Sequence, residues 1–295
     1  MVLAAFAVSS VLAGGNAVGI RFSNRELDPL WGAALRFALA AAVLLAVMAA
    51  LRLELPRGRA LAGAVLFGLL NFGGAFALAY YALVELHAGF GQIVLALVPL
   101  ATLLLAVAWR QERLRGTAIA GILLATTGIA LMSRAPLREA VPLVSLLAAL
   151  GSALLFAQAA LLVRRFPAVH PVTINAVGMA SGAALLVAGS ALAGESLDVP
   201  RGGETWLAIV YLVVVGSVVV FLLYVFVLRY WPASRATYTF VLIPFVTVLL
   251  STWLDDEPVG TGLVLGGLLV LAGVYYGALR QTPGLAPASE SVPAR

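Results

Sequence analysis

The chain has no cysteine and no lysine; all 18 of its basic residues are arginine. The first absence excludes disulfides, thiolate chemistry and cysteine-built metal sites. The second excludes a P-loop lysine, a lysine Schiff base and a lysine nucleophile. Charge of either sign is scarce, at 11% of residues, against 63% hydrophobic residues and a mean hydropathy of +1.07. So little polar surface cannot cover a soluble globule of 295 residues, so this is an integral membrane protein. Catalytic motifs are missing too: no H-E-x-x-H, no G-x-S-x-G and no aspartate pair inside an apolar run, which argues against a membrane enzyme. The two histidines, His87 and His170, fall in connectors. No cofactor or metal is expected. The net charge of +5 is dispersed over short connectors rather than gathered in a patch, so it reports topology and not nucleic-acid binding.

What the chain has in abundance is apolar runs long enough to cross a bilayer, which needs about 20 residues for a hydrocarbon core of ~30 Å. Ten are expected: 2–20, 30–51, 60–81, 90–109, 117–133, 141–163, 172–194, 205–228, 235–254 and 261–279. The fold class is therefore all-α and polytopic. Connectors are short, so consecutive helices run antiparallel. The first run lacks a basic leader and a cleavage site and reads as a retained helix. Residues 281–295, rich in Pro, Ala and Ser, are expected to form a disordered cytoplasmic tail. With the N-terminus inside, twelve arginines lie on the inner side and five (Arg21, Arg25, Arg134, Arg138, Arg201) on the outer side. The positive-inside rule then places both termini in the cytoplasm. Arg36 alone lies within a span.

The runs repeat. Pro99, Thr102, Glu112, Gly121 and Gly128 recur 145 positions later as Pro244, Thr247, Glu257, Gly266 and Gly273. Earlier in each half an offset of 142 sets Pro29 over Pro171, Asn16 over Gln158 and Leu44 over Leu186. Two five-helix repeats are expected, at 1–137 and 138–280. Because five is odd, the second inserts upside down relative to the first, giving an inverted repeat with two near-equivalent ways for its halves to pack. That arrangement suits alternating access.

Asn16 in a Gly-containing first span, Asp28-Pro29-Leu30 leading to Leu35-Arg36-Phe37, Tyr80-Tyr81-Ala82, Pro99 and Glu112 together form a pattern. It resembles an EamA-type member of the drug/metabolite transporter superfamily, across both halves. The resemblance implies a ten-helix exporter of amino acids or similar metabolites in a bacterial inner membrane. It also implies a central cavity lined by the first, third and fourth helix of each half. The second half departs from the pattern, with Val177-Gly178-Met179 where the first has Leu35-Arg36-Phe37, so Arg36 has no symmetric partner.

Candidate substrate contacts are Asn16, Phe76, Tyr80, Gln92, Pro99, Gln158, Tyr224 and Tyr238. Pro99 and Pro244 are expected to bend their spans by freeing a carbonyl. Gln92 and Thr237 share the proline faces, where an amide is either ligand contact or glue between helices. Phe72, Phe76 and Tyr80 form a stripe on the third span, and Ser217, Phe221 and Tyr224 one on the eighth; both patterns also suit packing, and Tyr80 an interfacial belt. An aromatic pocket with a few amides suits a neutral or aromatic amino acid; nucleosides and cationic compounds are the alternative cargo. Arg36 is read as a structural anchor, Glu85 and His87 as a solvated turn, and Glu112 and Glu257 as connector anchors, Glu112 pairing with Arg110, Arg113 or Arg115. The expected partners are a small-molecule substrate and the lipid bilayer, with the chain monomeric, although oligomers stay open.

Overall fold

A computed structural model describes residues 1–85, 94–132, 142–254 and 261–279. Gln92, His87, Glu257 and the tail fall outside the described residues. Everything described is helix, turn or connector.

The first span runs Val2–Gly14, breaks at Gly15 and resumes as Asn16–Ser23. The break has a local cause. The Tyr211 hydroxyl sits where a Cβ on Gly15 would stand, and it donates to the Leu12 carbonyl at 2.8 Å. The second span, Pro29–Ala50, opens with proline in its first turn after an extended Asp28, a position where the missing N–H costs nothing. The third span is composite: Gly58–Gly68, a π-helical segment Leu69–Gly74, then Ala75–Glu85. Helix Val98–Ala108 carries the fourth and Gly116–Met132 the fifth.

In the second half, the sixth span is Leu143–Leu162 and the seventh Pro171–Ala193, ending on a left-handed Gly194. The eighth is again composite, Gly203–Val213, π segment Val214–Val219 and Val220–Tyr230. The ninth is Ala233–Ala236 followed by Thr239–Leu254, and the tenth Thr261–Val274 with a terminal π segment Tyr275–Leu279. Five of these helices are long and apolar enough on their own to cross a membrane. The prolines differ from the expected pair of bends. Pro244 lies inside its helix, whereas Pro99 stands in the first turn of Val98–Ala108, just after a turn at Ala96 and Leu97. There it begins a helix instead of kinking one.

Packing follows the repeat. The second span packs on the seventh and the fifth on the tenth; the first lies against the eighth and ninth, and the sixth against the third and fourth. Exchanging the halves maps each of these pairings onto another or onto itself, as a pseudo-two-fold axis requires. The fifth and tenth spans show this at atomic scale. A Cβ on Gly121 would lie 2.7 Å from the Gly273 carbonyl oxygen, and one on Gly128 would lie 2.5 Å from that of Gly266. Those two contacts exchange under the repeat offset. Close backbone approach of this kind is how helices associate where lipid removes the hydrophobic drive.

Gly121→Ala should therefore destabilise the protein by about 1–3 kcal/mol, the usual cost of overpacking. Gly116→Ala, with nothing within 4 Å of the added Cβ, should be close to neutral. Thermal unfolding in detergent micelles compares the two.

Candidate substrate site between the repeats

A π turn pairs N–H groups five residues back rather than four, so the passage between the two patterns makes carbonyls available to outside donors. The two central π segments begin at Leu69 and Val214, 145 positions apart, the offset of the repeat. At their ends the Ala75 carbonyl accepts from Ser152 Oγ at 2.8 Å, and the Phe221 carbonyl from Asn175 Nδ2 at 3.2 Å. Inside the second segment the Gly216 carbonyl takes two donors, Arg36 Nη2 at 2.9 Å and Asn16 Nδ2 at 3.4 Å.

Arg36 is 1% exposed. It points inward across the repeat interface, not outward to the headgroups, and its Nε also donates to Ser217 Oγ at 2.8 Å. The hydroxyls of Tyr80 and Tyr211 lie nearby, and its guanidinium sits 5.0 Å from the Phe37 ring centre and 5.6 Å from that of Phe76. Among the described residues Nη1 finds no hydrogen-bond partner, and neither does the buried Oδ1 of Asn16. No Asp or Glu lies in the body of any span, so this guanidinium has no carboxylate partner at its own depth. Burying a charged group with only dipoles for company is costly and marks a site under functional constraint.

The equivalent interface in the other half is closed by backbone. Gly178, in the place of Arg36, packs on the third span so that a Cβ on Gly68 would run into the Gly178 carbonyl and Cα. A Cβ on Gly182 would lie 2.5 Å from the Phe72 Cβ. One side of the pseudo-axis is thus zipped by glycine and the other propped by arginine.

Between the two sides lies an aromatic cluster. Phe37 meets Phe72 tilted at 5.1 Å and Phe76 edge-on at 4.8 Å; Phe76 meets Phe156 at 5.5 Å; Phe221 meets Phe72 at 4.7 Å and Tyr224 at 6.4 Å; Phe240 meets Phe156 at 5.0 Å. Of the residues singled out in the sequence, Phe76, Tyr80 and Tyr224 belong to this cluster or its edge, and Asn16 borders it through Gly216. Tyr80 is buried beside Arg36, while its neighbour Tyr81 is the one exposed. Gln158 is half-buried on the sixth span. Tyr238 is already engaged elsewhere: its hydroxyl donates to the Ala118 carbonyl at 3.1 Å and packs on Gly277. Sequence reasoning weighed Arg36 as an anchor and did not find Phe37, Phe156 or Phe240; the Arg36-Phe37 pair inside an uncharged run was the available signal.

A second polar layer joins the halves on the face opposite the N-terminus. Glu195, after the seventh span, accepts from the N–H groups of Leu30 and Trp31 at 3.1 and 2.8 Å, capping the second span. Reciprocally, Glu26, after the first span, accepts from the N–H groups of Arg201 and Gly202 at 2.6 and 3.1 Å and from Thr205 Oγ1 at 2.6 Å, capping the eighth. Asp28 accepts from Ser196 N–H and Oγ at 2.8 and 2.9 Å. Carboxylates at helix N-termini satisfy orphan donors and oppose the positive end of the dipole. The exposed Arg25–Glu204 pair at 3.2 Å adds little. On the N-terminal face, no hydrogen bond among the described residues joins the pseudo-equivalent connectors 51–57 and 163–170. There Ala60, Gly63, Phe166, Ile174 and Arg229 line a small pocket. Glu112 corrects its expected local pairing: it accepts from Ser234 N–H at 3.2 Å and from the Ser234 hydroxyl, capping the ninth span from the first half.

Two inverted repeats, packed about an axis with a buried polar and aromatic site between them, define a membrane carrier. A model of the EamA-like transporter family matches residues 1–134 and 143–277, and the chain belongs to that family, whose members transport small metabolites across membranes. A protein of known crystal structure superposes with a TM-score of 0.78 at 20% identity, covering 94% of this chain and 96% of its own. At that identity the likeness shows the fold alone. No match was found among curated proteins.

The hydrogen bond from Thr205, followed by those from the Arg201 and Gly202 N–H groups, holds the Glu26 carboxyl below its ordinary pKa. A depressed folded-state pKa contributes stability that is complete above the unfolded value, about 4.3 for Glu, and is lost as pH falls through the folded value. The contribution of Glu26 to thermal stability should thus be complete and independent of pH near neutrality, and decline in acid. Glu26→Gln should lower stability at pH 7 and flatten the acid decline, as melting curves from pH 3 to 8 would record.

Proposed function

We propose that the protein exports amino acids, neutral or aromatic, by alternating access across a bacterial inner membrane. The observation that carries this reading is the aromatic cluster between the repeats, with unpaired polar atoms buried at its edge. Aromatic faces take an aromatic or large apolar side chain, and the amides and hydroxyls orient its polar end. Asn16, Phe76, Tyr80 and Tyr224 are the primary contacts in this reading. Gln158 supplies an amide from the sixth span and Pro99 shapes the wall, while Tyr238 stands outside the site. The repeats, 1–137 and 138–280, move against each other, and 281–295 forms a cytoplasmic tail.

The arginine count supports cytoplasmic termini. The capped layer then closes the periplasmic side, while the cytoplasmic side, from which an exporter loads, has no such layer among the described residues. A monomer suffices, since both halves of the site come from one chain.

Purified protein in liposomes should move L-phenylalanine and L-leucine with saturation and with acceleration by substrate on the opposite side. Phe76→Ala and Tyr224→Ala should raise KM on the order of tenfold, the scale of one lost aromatic contact. Unsaturable flux, or no preference for large neutral amino acids across a panel of metabolites, would overturn the reading.

A further inference from the structure

The geometry points to Arg36 and Asn16 as a receptor for the zwitterionic head group of an α-amino acid, with Arg36 Nη1 taking the carboxylate and Asn16 Oδ1 the ammonium. This rests on the amino-acid reading above and adds to it which atoms recognise the cargo. Both atoms are sealed from solvent, and among the described residues both lack a hydrogen-bond partner. One is a donor on a cation and the other an acceptor, so a ligand carrying both an anion and a donor would satisfy the two at once. Leaving such atoms unmet in a low-dielectric interior is costly, and a substrate that meets them recovers that cost on binding.

Placement supports the pairing. Both side chains converge on Gly216: Asn16 Nδ2 and Arg36 Nη2 donate to its carbonyl, and an added Cβ there would meet Asn16 Oδ1 and lie 3.3 Å from Arg36 Nη2. Glycine at this point keeps the two groups side by side. The bonds to Gly216 and Ser217 fix the guanidinium plane, which leaves Nη1 as the nitrogen available for a ligand. The Tyr80 hydroxyl, close to the guanidinium, is placed as a second donor to a carboxylate. Phe37 and Phe76, whose rings flank Arg36, lead from the head group into the aromatic cluster, where a side chain would lie.

Charge decides among ligand classes. A phosphate dianion would call for more than one cation, and Arg36 is the only basic residue away from the ends of a span. A simple carboxylic acid would leave Asn16 Oδ1 unmet, and a simple amine would leave Nη1 unmet. The site is shut in this conformation, with Arg36 1% exposed. Entry requires the second span to part from the eighth, which are joined here by side-chain bonds rather than by the glycine backbone contact of the seventh and third.

The test compares three probes in liposomes: L-phenylalanine, L-phenylalaninamide, which lacks the carboxylate, and phenylacetate, which lacks the ammonium. Wild type should prefer phenylalanine to each by about tenfold or more, the worth of a charge-assisted hydrogen bond. Arg36→Gln should erase the preference over the amide and keep that over phenylacetate. Asn16→Ala should do the reverse. Arg36→Lys, which keeps the charge without the planar fork, should retain part of the first preference and guards against a fold defect in Arg36→Gln. Full discrimination against the amide in both Arg36 variants would overturn the head-group assignment while leaving amino-acid transport intact. A wild type that moves none of the three would overturn the amino-acid reading and the assignment with it.

Discussion

A lipid bilayer offers no water to a guanidinium or a carbonyl, and this constraint shapes the centre of the molecule. A polar group placed there must find a partner in the protein or in a bound ligand, or bear the cost of having none. The second π segment supplies the Gly216 carbonyl to external donors, carbonyls just past the two segments, at Ala75 and Phe221, accept as well, and the side chains that use all three come from other spans. Arg36 is tolerable in the second span because the eighth span turns a carbonyl and a hydroxyl toward it. A regular α-helix at that point would keep its carbonyls for itself.

From the same constraint comes the asymmetry between two halves that are otherwise related by duplication. Gly178 closes one interface with backbone, and Arg36 holds the other with long side-chain bonds. Connector length differs as well. Seven residues separate the second helix from the third, and nine separate the seventh from the eighth. The longer connector contributes Glu195, Ser196 and Arg201 to the polar layer that seals the face opposite the N-terminus. Its shorter counterpart makes no such layer. A duplicated chain has in this way acquired one tight side and one that side-chain exchange can release, which is what a carrier with two packings needs.

The spans were legible in the sequence because each is a long apolar run, and most helix ends fall within about three residues of the expected ones. The repeat was legible because Pro, Glu and Gly punctuate runs in which only Leu, Ala and Val recur by chance. The π segments were not, since one extra residue in a turn leaves hydropathy unchanged. Nor was the direction of Arg36, because a long side chain near a helix end has an alternative at the membrane surface. The reciprocal caps at Glu26 and Glu195 join residues 164 to 179 positions apart, and Glu112 reaches Ser234 across 122. Local charge spacing carries no trace of such pairings. Of the substrate contacts, the aromatic stripe on the third span led toward the cluster, while Tyr238 was drawn to the interface of the fifth and tenth spans by the small Gly277.

Alternating access requires the two faces to open in turn, and the absence of cysteine makes spin labelling at chosen pairs direct. Labels at Asn24 and Leu197 report the capped face, and labels at Glu54 and Ala168 the N-terminal face; all four positions are exposed. Pulsed electron–electron distance measurements in lipid, with and without saturating transported amino acid, should show the two separations changing in opposite directions, the first lengthening as the second shortens. Distances that stay fixed, or that lengthen together, would contradict a carrier that rocks between two packings of its repeats.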